Sequence, residues 1–116
     1  MNTDTIVAAI QIAKALDPEY SPPATPSGDL LINAINGTDV LIRTVTMIYT
    51  GHVEAIDAHT IVLTDAAWIA DTGRFADALK TGGLSEVEPY PEGVYVARAA
   101  VVDITPWQHD LPRVQK

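Results

Sequence analysis

From Val40 to Asp65 the chain reads Val-Leu-Ile-Arg-Thr-Val-Thr-Met-Ile-Tyr-Thr-Gly-His-Val-Glu-Ala-Ile-Asp-Ala-His-Thr-Ile-Val-Leu-Thr-Asp. Val, Ile and Thr are stiff at χ1 and suit a pleated surface better than a helix. The pattern predicts a strand over 40–50, a break at Gly51, a strand over 52–56, a tight turn at Asp57-Ala58-His59 and a strand over 60–64. Val94–Ile104 supplies one more long strand, which Pro106 ends. Strands joined by such short turns pair as antiparallel neighbours. The expected product is a small curved sheet closing on itself.

The flanking segments read differently. Residues 3–16 carry Ile6, Ala9, Ile10, Ala13 and Leu16 at helical spacing, with Thr3 or Asp4 as cap and Asp17-Pro18 as stop. Residues 18–28, Pro-Glu-Tyr-Ser-Pro-Pro-Ala-Thr-Pro-Ser-Gly, form an extended, semi-rigid linker. The helical face is too broad to stay wet, so the helix packs either on its own barrel or on a neighbouring subunit. Leu30–Ile35 is a strand or a helical turn, and Asp65–Ala70 either continues the sheet or leaves it. Residues 73–80 form a second helix, capped by Asp71 or Thr72, with Phe75, Ala78 and Leu79 inward and Gly82 as stop. Residues 81–93 read as loop. The chain thus divides into an N-terminal helix (1–17), a linker (18–28), a β-barrel (29–105) and a C-terminal tail (106–116).

A chain of 116 residues fits one domain. Hydrophobic residues make up 47% and aromatics only 6%, so the core is built from Val, Ile, Leu and Ala. Small side chains bury little area each, and a barrel made of them gains from subunit contacts. The net charge of −8 opposes binding to a long nucleic-acid backbone, where affinity comes from Lys and Arg releasing counterions. The absence of cysteine excludes disulfides, thiolate metal sites and thiol nucleophiles and accords with a reducing cytoplasm. No basic segment precedes the first apolar stretch and no apolar run is long enough for a bilayer, so neither a signal peptide nor a membrane span is expected.

Two segments bear a family likeness. Tyr49-Thr50-Gly51-His52-Val53-Glu54-Ala55-Ile56-Asp57, with Ile61-Val62-Leu63 after the turn, resembles the first motif of the Sm-like fold of Sm, Lsm and Hfq proteins. Val96-Ala97-Arg98-Ala99-Ala100-Val101-Val102 is similar to the second motif. Asp57 and Arg98 are the residues that carry over. The turn lacks the base-contacting Asn of RNA-binding Sm proteins, with Thr60 and Ile61 in its region, and Arg98-Ala99 replaces Arg-Gly. Ile42-Arg43-Thr44 and Val62-Leu63-Thr64-Asp65-Ala66-Ala67-Trp68 look like uncharacterised Sm-like proteins of phages and prophages. The resemblance implies a mainly β chain with some α, folded as a small Sm-like or SH3-like barrel, with an N-terminal helix and a short helix before the last strands. It also implies a homo-oligomer, since such barrels assemble by pairing open strand edges.

Candidate chemistry is sparse. Arg43 and Arg98 could hold a phosphate or carboxylate between subunits, with Trp68 stacking and Asp57 nearby; the alternative is ion pairing with Asp57, Asp103 or Glu54 at a subunit boundary. His52, Glu54, Asp57 and His59 lie close in sequence, but a solvated strand face with a turn Asp bonding its own backbone explains them without a metal. Ser21, Ser27 and Ser85 sit in loops without a nucleophile-elbow sequence, and Glu86 and Glu88 are unshielded loop acids. No catalytic residue, cofactor or metal is expected. The leading expectation is a non-enzymatic, homo-oligomeric assembly or scaffolding module of phage or prophage origin in the host cytoplasm. Sequestration of a small anionic ligand such as a signalling nucleotide between subunits, and RNA binding, are the alternatives.

Overall fold

A computed structural model describes residues 28–116. The expected helix at 3–16 and the linker up to residue 27 lie outside the described residues. Asp29 caps α1 (Leu30–Ile35), its Oδ1 accepting from the N–H of Leu31 at 2.9 Å and of Ile32 at 3.1 Å. This segment is therefore helical, since the Asp29 side chain satisfies two of the open N–H groups of the first turn.

The strands are β1 (Asp39–Thr44), β2 (Ile48–Ile56), β3 (Thr60–Asp71), β4 (Glu86–Pro89), β5 (Val94–Ala97) and β6 (Val101–Pro106), with α2 (Phe75–Thr81) between β3 and β4. They form a six-stranded antiparallel sheet in the order β4-β3-β2-β1-β6, with β5 also on β3. The described residues are mainly β, with two short helices. The first half of β3 pairs with β5 and the second half with β4. A 3₁₀ turn at Arg98–Ala100 joins β5 to β6, which pairs with β1. The two ends of the sheet are thus three residues apart in the chain, which forces it to curl. Among the described residues no ladder joins β5 to β6, so the sheet is not closed by hydrogen bonds.

A bulge sorts the residues of β3 between two cores. Thr50 faces Ala67 and His52 faces Thr64, so β3 carries an extra residue across that step. Asp65 lies there at φ 51°, a left-handed conformation that Asp tolerates better than most residues. The extra residue reverses the alternation. Ile61 and Leu63 join Val40, Ile42, Val53, Val96 and Ile35 on one face. Ala67 and Ile69 join Leu41 on the other, under Ala78 of α2 and Trp107 and Leu111 of the tail.

Several boundaries differ from the sequence expectation. The break in the first hairpin falls at Val45–Met47 and not at Gly51, which lies inside β2. β3 continues through Trp68 to Asp71. The expected loop 81–93 contains β4, and the expected long strand 94–104 is interrupted at Arg98–Ala100. α2 begins later than expected, with Arg74 at its N-cap and no side-chain cap bond; Asp71 Oδ1 instead accepts from the Gly73 N–H at 2.7 Å. Its inward face is as expected, and Gly82 ends it at φ 78°.

The tail is part of the fold. Trp107 is buried, and its indole N–H donates to the Asp110 carbonyl at 3.2 Å. Arg113 Nε donates to both carboxylate oxygens of Asp65, at 3.0 and 2.9 Å. Val87 and Lys116 exchange two backbone hydrogen bonds of 3.0 Å each, so the chain's last residue covers part of the outer edge of β4.

Candidate functional site

The two residues singled out by the Sm-like resemblance meet. The Asp57 Oδ1 accepts from the N–H of His59 and of Thr60, both at 2.8 Å, which fixes the β2–β3 turn. Arg98, at the start of the 3₁₀ turn, donates from Nη1 to the Asp57 carbonyl at 2.8 Å and to Asp29 Oδ2 at 3.0 Å. Its backbone N–H donates to the His59 carbonyl at 2.9 Å. One guanidinium thus ties the helix cap, the β2–β3 turn and the β5–β6 turn together. The Asp29 carboxyl is held below the usual carboxylate range, first by Arg98 and then by the Ile32 N–H. The Asp57 carboxyl is lowered too, by the His59 N–H and then the Thr60 N–H.

Arg43 belongs to a second cluster. Its Nε donates to Asp103 Oδ1 at 2.8 Å, its Nη2 pairs with the other carboxylate oxygen, and its Cζ lies 4.6 Å from the Phe75 ring centroid. That pair raises the pKa of Arg43 and lowers that of Asp103. No described contact joins Arg43 to Arg98. Arg74 lies 4.0 Å from Asp77, and Arg113 holds Asp65. Arg43, Arg98 and Arg113 are each hydrogen-bonded to an aspartate of the same chain, so a ligand anion would have to compete with a carboxylate for any of these three, whereas Arg74 is largely exposed and makes no hydrogen bond to Asp77.

Trp68 is half-exposed on β3, between Tyr49 on β2 and Glu88 on β4. Tyr49 and Tyr90 approach at 6.2 Å between ring centroids. This row is separate from both arginine clusters in the described contacts. His52, Glu54, Asp57 and His59 do not converge: His52 Nδ1 lies 2.8 Å from Asp39 Oδ1, Glu54 reaches only Thr64, and Asp57 binds its own turn. Among the described residues no group of three His, Asp or Glu side chains could hold a metal ion. An open polar cleft of about 610 Å³ lies between the tail and α2, lined by Asp39, Thr81, Gly82, Trp107, Gln108, His109 and Asp110. One histidine nitrogen there is already used, since His109 Nε2 lies 2.7 Å from the Leu79 carbonyl.

The strand edges are the other conspicuous feature. β5 pairs only with β3, and β6 only with β1. Tyr95 on β5 and Val102 on β6 are large apolar side chains left 78% and 64% exposed. Among the described residues nothing pairs with the outer edge of either strand. Sequence reasoning identified neither residue, because within one apparent strand their outward direction looks like ordinary alternation. Asp29 was missed as well; the one signal for it was an Asp immediately before an apolar run.

No described helix is long and apolar enough to cross a membrane. Comparison with family models, with curated proteins and with solved structures finds no match.

Proposed function

We propose that this chain is a non-enzymatic, self-assembling β module of Sm-like type, in which copies join by pairing the open edge of β5 with the open edge of β6. The observation that carries the reading is the contrast among the edges. The edge of β4 is engaged by the chain's own Lys116, whereas β5 and β6 have no outer partner among the described residues. Exposed, unpaired strand edges are templates for further pairing unless charge, proline or a cover blocks them. Here they carry Tyr95 and Val102; the charge on β6, Asp103, is paired with Arg43 of β1, and Pro106 stands only at the far end of β6. A curled sheet whose free edges belong to different strands makes a head-to-tail contact, which closes into a ring when the rotation per copy allows.

The link between Asp57 and Arg98 also supports the Sm-like reading, because these are the two positions the resemblance carries over. The pairing of Arg43, Arg98 and Arg113 weighs against capture of small anions and against RNA, since a ligand anion would have to displace a carboxylate at each of them. A scaffolding role in a phage or prophage setting follows from the resemblance alone.

Light scattering on the wild type and on Val102→Lys tests the reading. The wild type gives the mass of a homo-oligomer. The lysine variant keeps its circular dichroism spectrum and falls to the mass of one chain. A wild type that is monomeric at every concentration contradicts the proposal.

A further inference from the structure

Tyr49, Trp68 and Glu88 stand in one row across three strands. Trp68 of β3 lies directly opposite Tyr49 of β2 on one side and Glu88 of β4 on the other. Ladder partners share a face of the sheet, with Cβ atoms about 5 Å apart. Their chain neighbours Thr50, Ala67, Ile69 and Val87 are buried, and strand alternation puts those on the opposite face.

The row is backed and held at its rim. The Tyr49 and Tyr90 rings lie 6.2 Å apart between centroids, and both pack on the core that holds Val40 and Ile42. The Tyr49 hydroxyl donates to Met47 Sδ at 3.1 Å, and Glu88 Oε1 accepts from Gln115 Nε2 at 3.1 Å. Trp68 is 37% exposed and Glu88 is exposed as well, so an indole and a carboxylate meet solvent side by side.

The molecule shows elsewhere what such a pair holds. Arg43 donates from Nε to Asp103 on the neighbouring strand at 2.8 Å, while its Cζ lies 4.6 Å from the Phe75 ring centroid. There one guanidinium gives its fork to a carboxylate and its plane to an aromatic ring. Trp68 and Glu88 offer the same two groups, and indole attracts a cation better than the phenyl ring does. Among the described residues no arginine or lysine is paired with Glu88 or stacked on Trp68. An uncharged aromatic ligand would use the indole but leave a carboxylate desolvated beside it, and a phosphate would be repelled by that carboxylate. The net charge of −8 draws a cation toward the surface.

We infer that the Trp68–Glu88 row receives an arginine side chain of a partner protein, its guanidinium lying on the indole and donating to the carboxylate. None of these residues belongs to β5 or β6, so the inference does not depend on the self-assembly proposed above.

Nitrogen-15 NMR of the full chain tests it. The probe is the capped peptide Gly-Arg-Gly-Arg-Gly at millimolar concentration. The control is the same peptide with citrulline, which keeps the planar group and loses the charge. The expected result is a progressive shift of the Trp68 indole N–H and the Glu88 amide with the arginine peptide, larger than at the exposed acids Asp71 and Asp77. Trp68→Leu and Glu88→Gln each weaken binding about twofold to fivefold, the size of one exposed cation–π contact or ion pair. Glu88→Gln alters only a surface group and keeps an acceptor for Gln115, so it serves should Trp68→Leu disturb the sheet. Equal shifts with the citrulline peptide overturn the inference in favour of a plain apolar contact. Shifts spread evenly over the exposed carboxylates, or unchanged by Glu88→Gln, overturn it in favour of general charge attraction. A Trp68 indole signal that does not move overturns it outright.

Discussion

Val87 and Lys116 exchange a pair of backbone hydrogen bonds, so the C-terminal residue of the chain engages the outer edge of β4. The residues just before it are pinned as well, Arg113 to Asp65 and Gln115 to Glu88. Trp107 and Leu111 anchor the strap in the core beneath α2. The tail thus covers part of the β4 edge, and among the described residues it leaves those of β5 and β6 open, the two edges on which the proposed assembly depends.

Deleting residues 113–116 removes that cover without touching Trp107 or Leu111. The expected outcome is an unchanged circular dichroism spectrum and new species above the mass that the full-length protein shows, growing with concentration as β4 edges find one another. Analytical ultracentrifugation checks this. A truncated protein with the wild-type mass distribution argues against a role for the tail in guarding β4.

Trp107 holds the strap down. Trp107→Ala opens a cavity between the sheet and the tail, and large aromatic truncations in cores cost about 3–5 kcal/mol. Urea unfolding measures the loss, and amide exchange locates it. Protection at Lys116 and Val87 should be lost before that at Val40 and Ile42, whose side chains belong to the other core.

The Thr50 hydroxyl is fully buried and has no hydrogen-bond partner among the described residues. Thr50→Val keeps the shape and the β-branching while removing a desolvated polar atom. A gain of about 1 kcal/mol in unfolding free energy is expected, at the lower end of the cost of an unsatisfied buried group. Chemical denaturation is the measurement, and a loss of stability would mean that the hydroxyl has a role in the fold.

Acid weakens the fold through identifiable groups. Asp29, Asp57 and Asp103 have folded pKa values below their ordinary value of 3.8. A group with a depressed folded pKa contributes stability in full above its unfolded pKa and loses it as pH falls through the folded one. Stability from these groups is therefore flat through neutral pH and declines below about pH 4. Asp29→Asn makes the acid limb shallower in urea melts taken as a function of pH, because the Arg98 contact then no longer depends on an ionised partner.

What the sequence disclosed follows from how each feature is encoded. The strands over 40–65 and the Asp57–His59 turn were legible because β-branched density and a turn Asp are local signals. The first hairpin turn was not, because Val45-Thr46-Met47 contains no Gly, Pro or Asn. It is closed by the Thr44 hydroxyl, which accepts from the Met47 N–H and donates to the Met47 carbonyl, both at 2.9 Å. Gly51 looked like the break for a reason unrelated to turning. A Cβ there would lie 3.1 Å from the Leu63 Cβ and 3.2 Å from the Ala66 Cβ, so glycine serves close packing between strands. The interruption at Arg98–Ala100 left one trace, a run of alanines with weak strand preference.

The candidate site divides in the same way. Asp57 and Arg98 were reachable through motif resemblance, and the Arg43–Asp103 pair was among the alternatives weighed for those arginines. The bond from Arg98 to Asp29 joins residues far apart in the chain and leaves no periodic mark. The open edges are visible only once the pairing of all six strands is known.

Native mass spectrometry of the full chain, purified gently, tests self-assembly most directly. The account predicts one closed stoichiometry with no added mass, collapsing to single chains in Val102→Lys. A wild-type monomer contradicts it, and a reproducible extra mass at each interface would replace scaffolding with ligand capture.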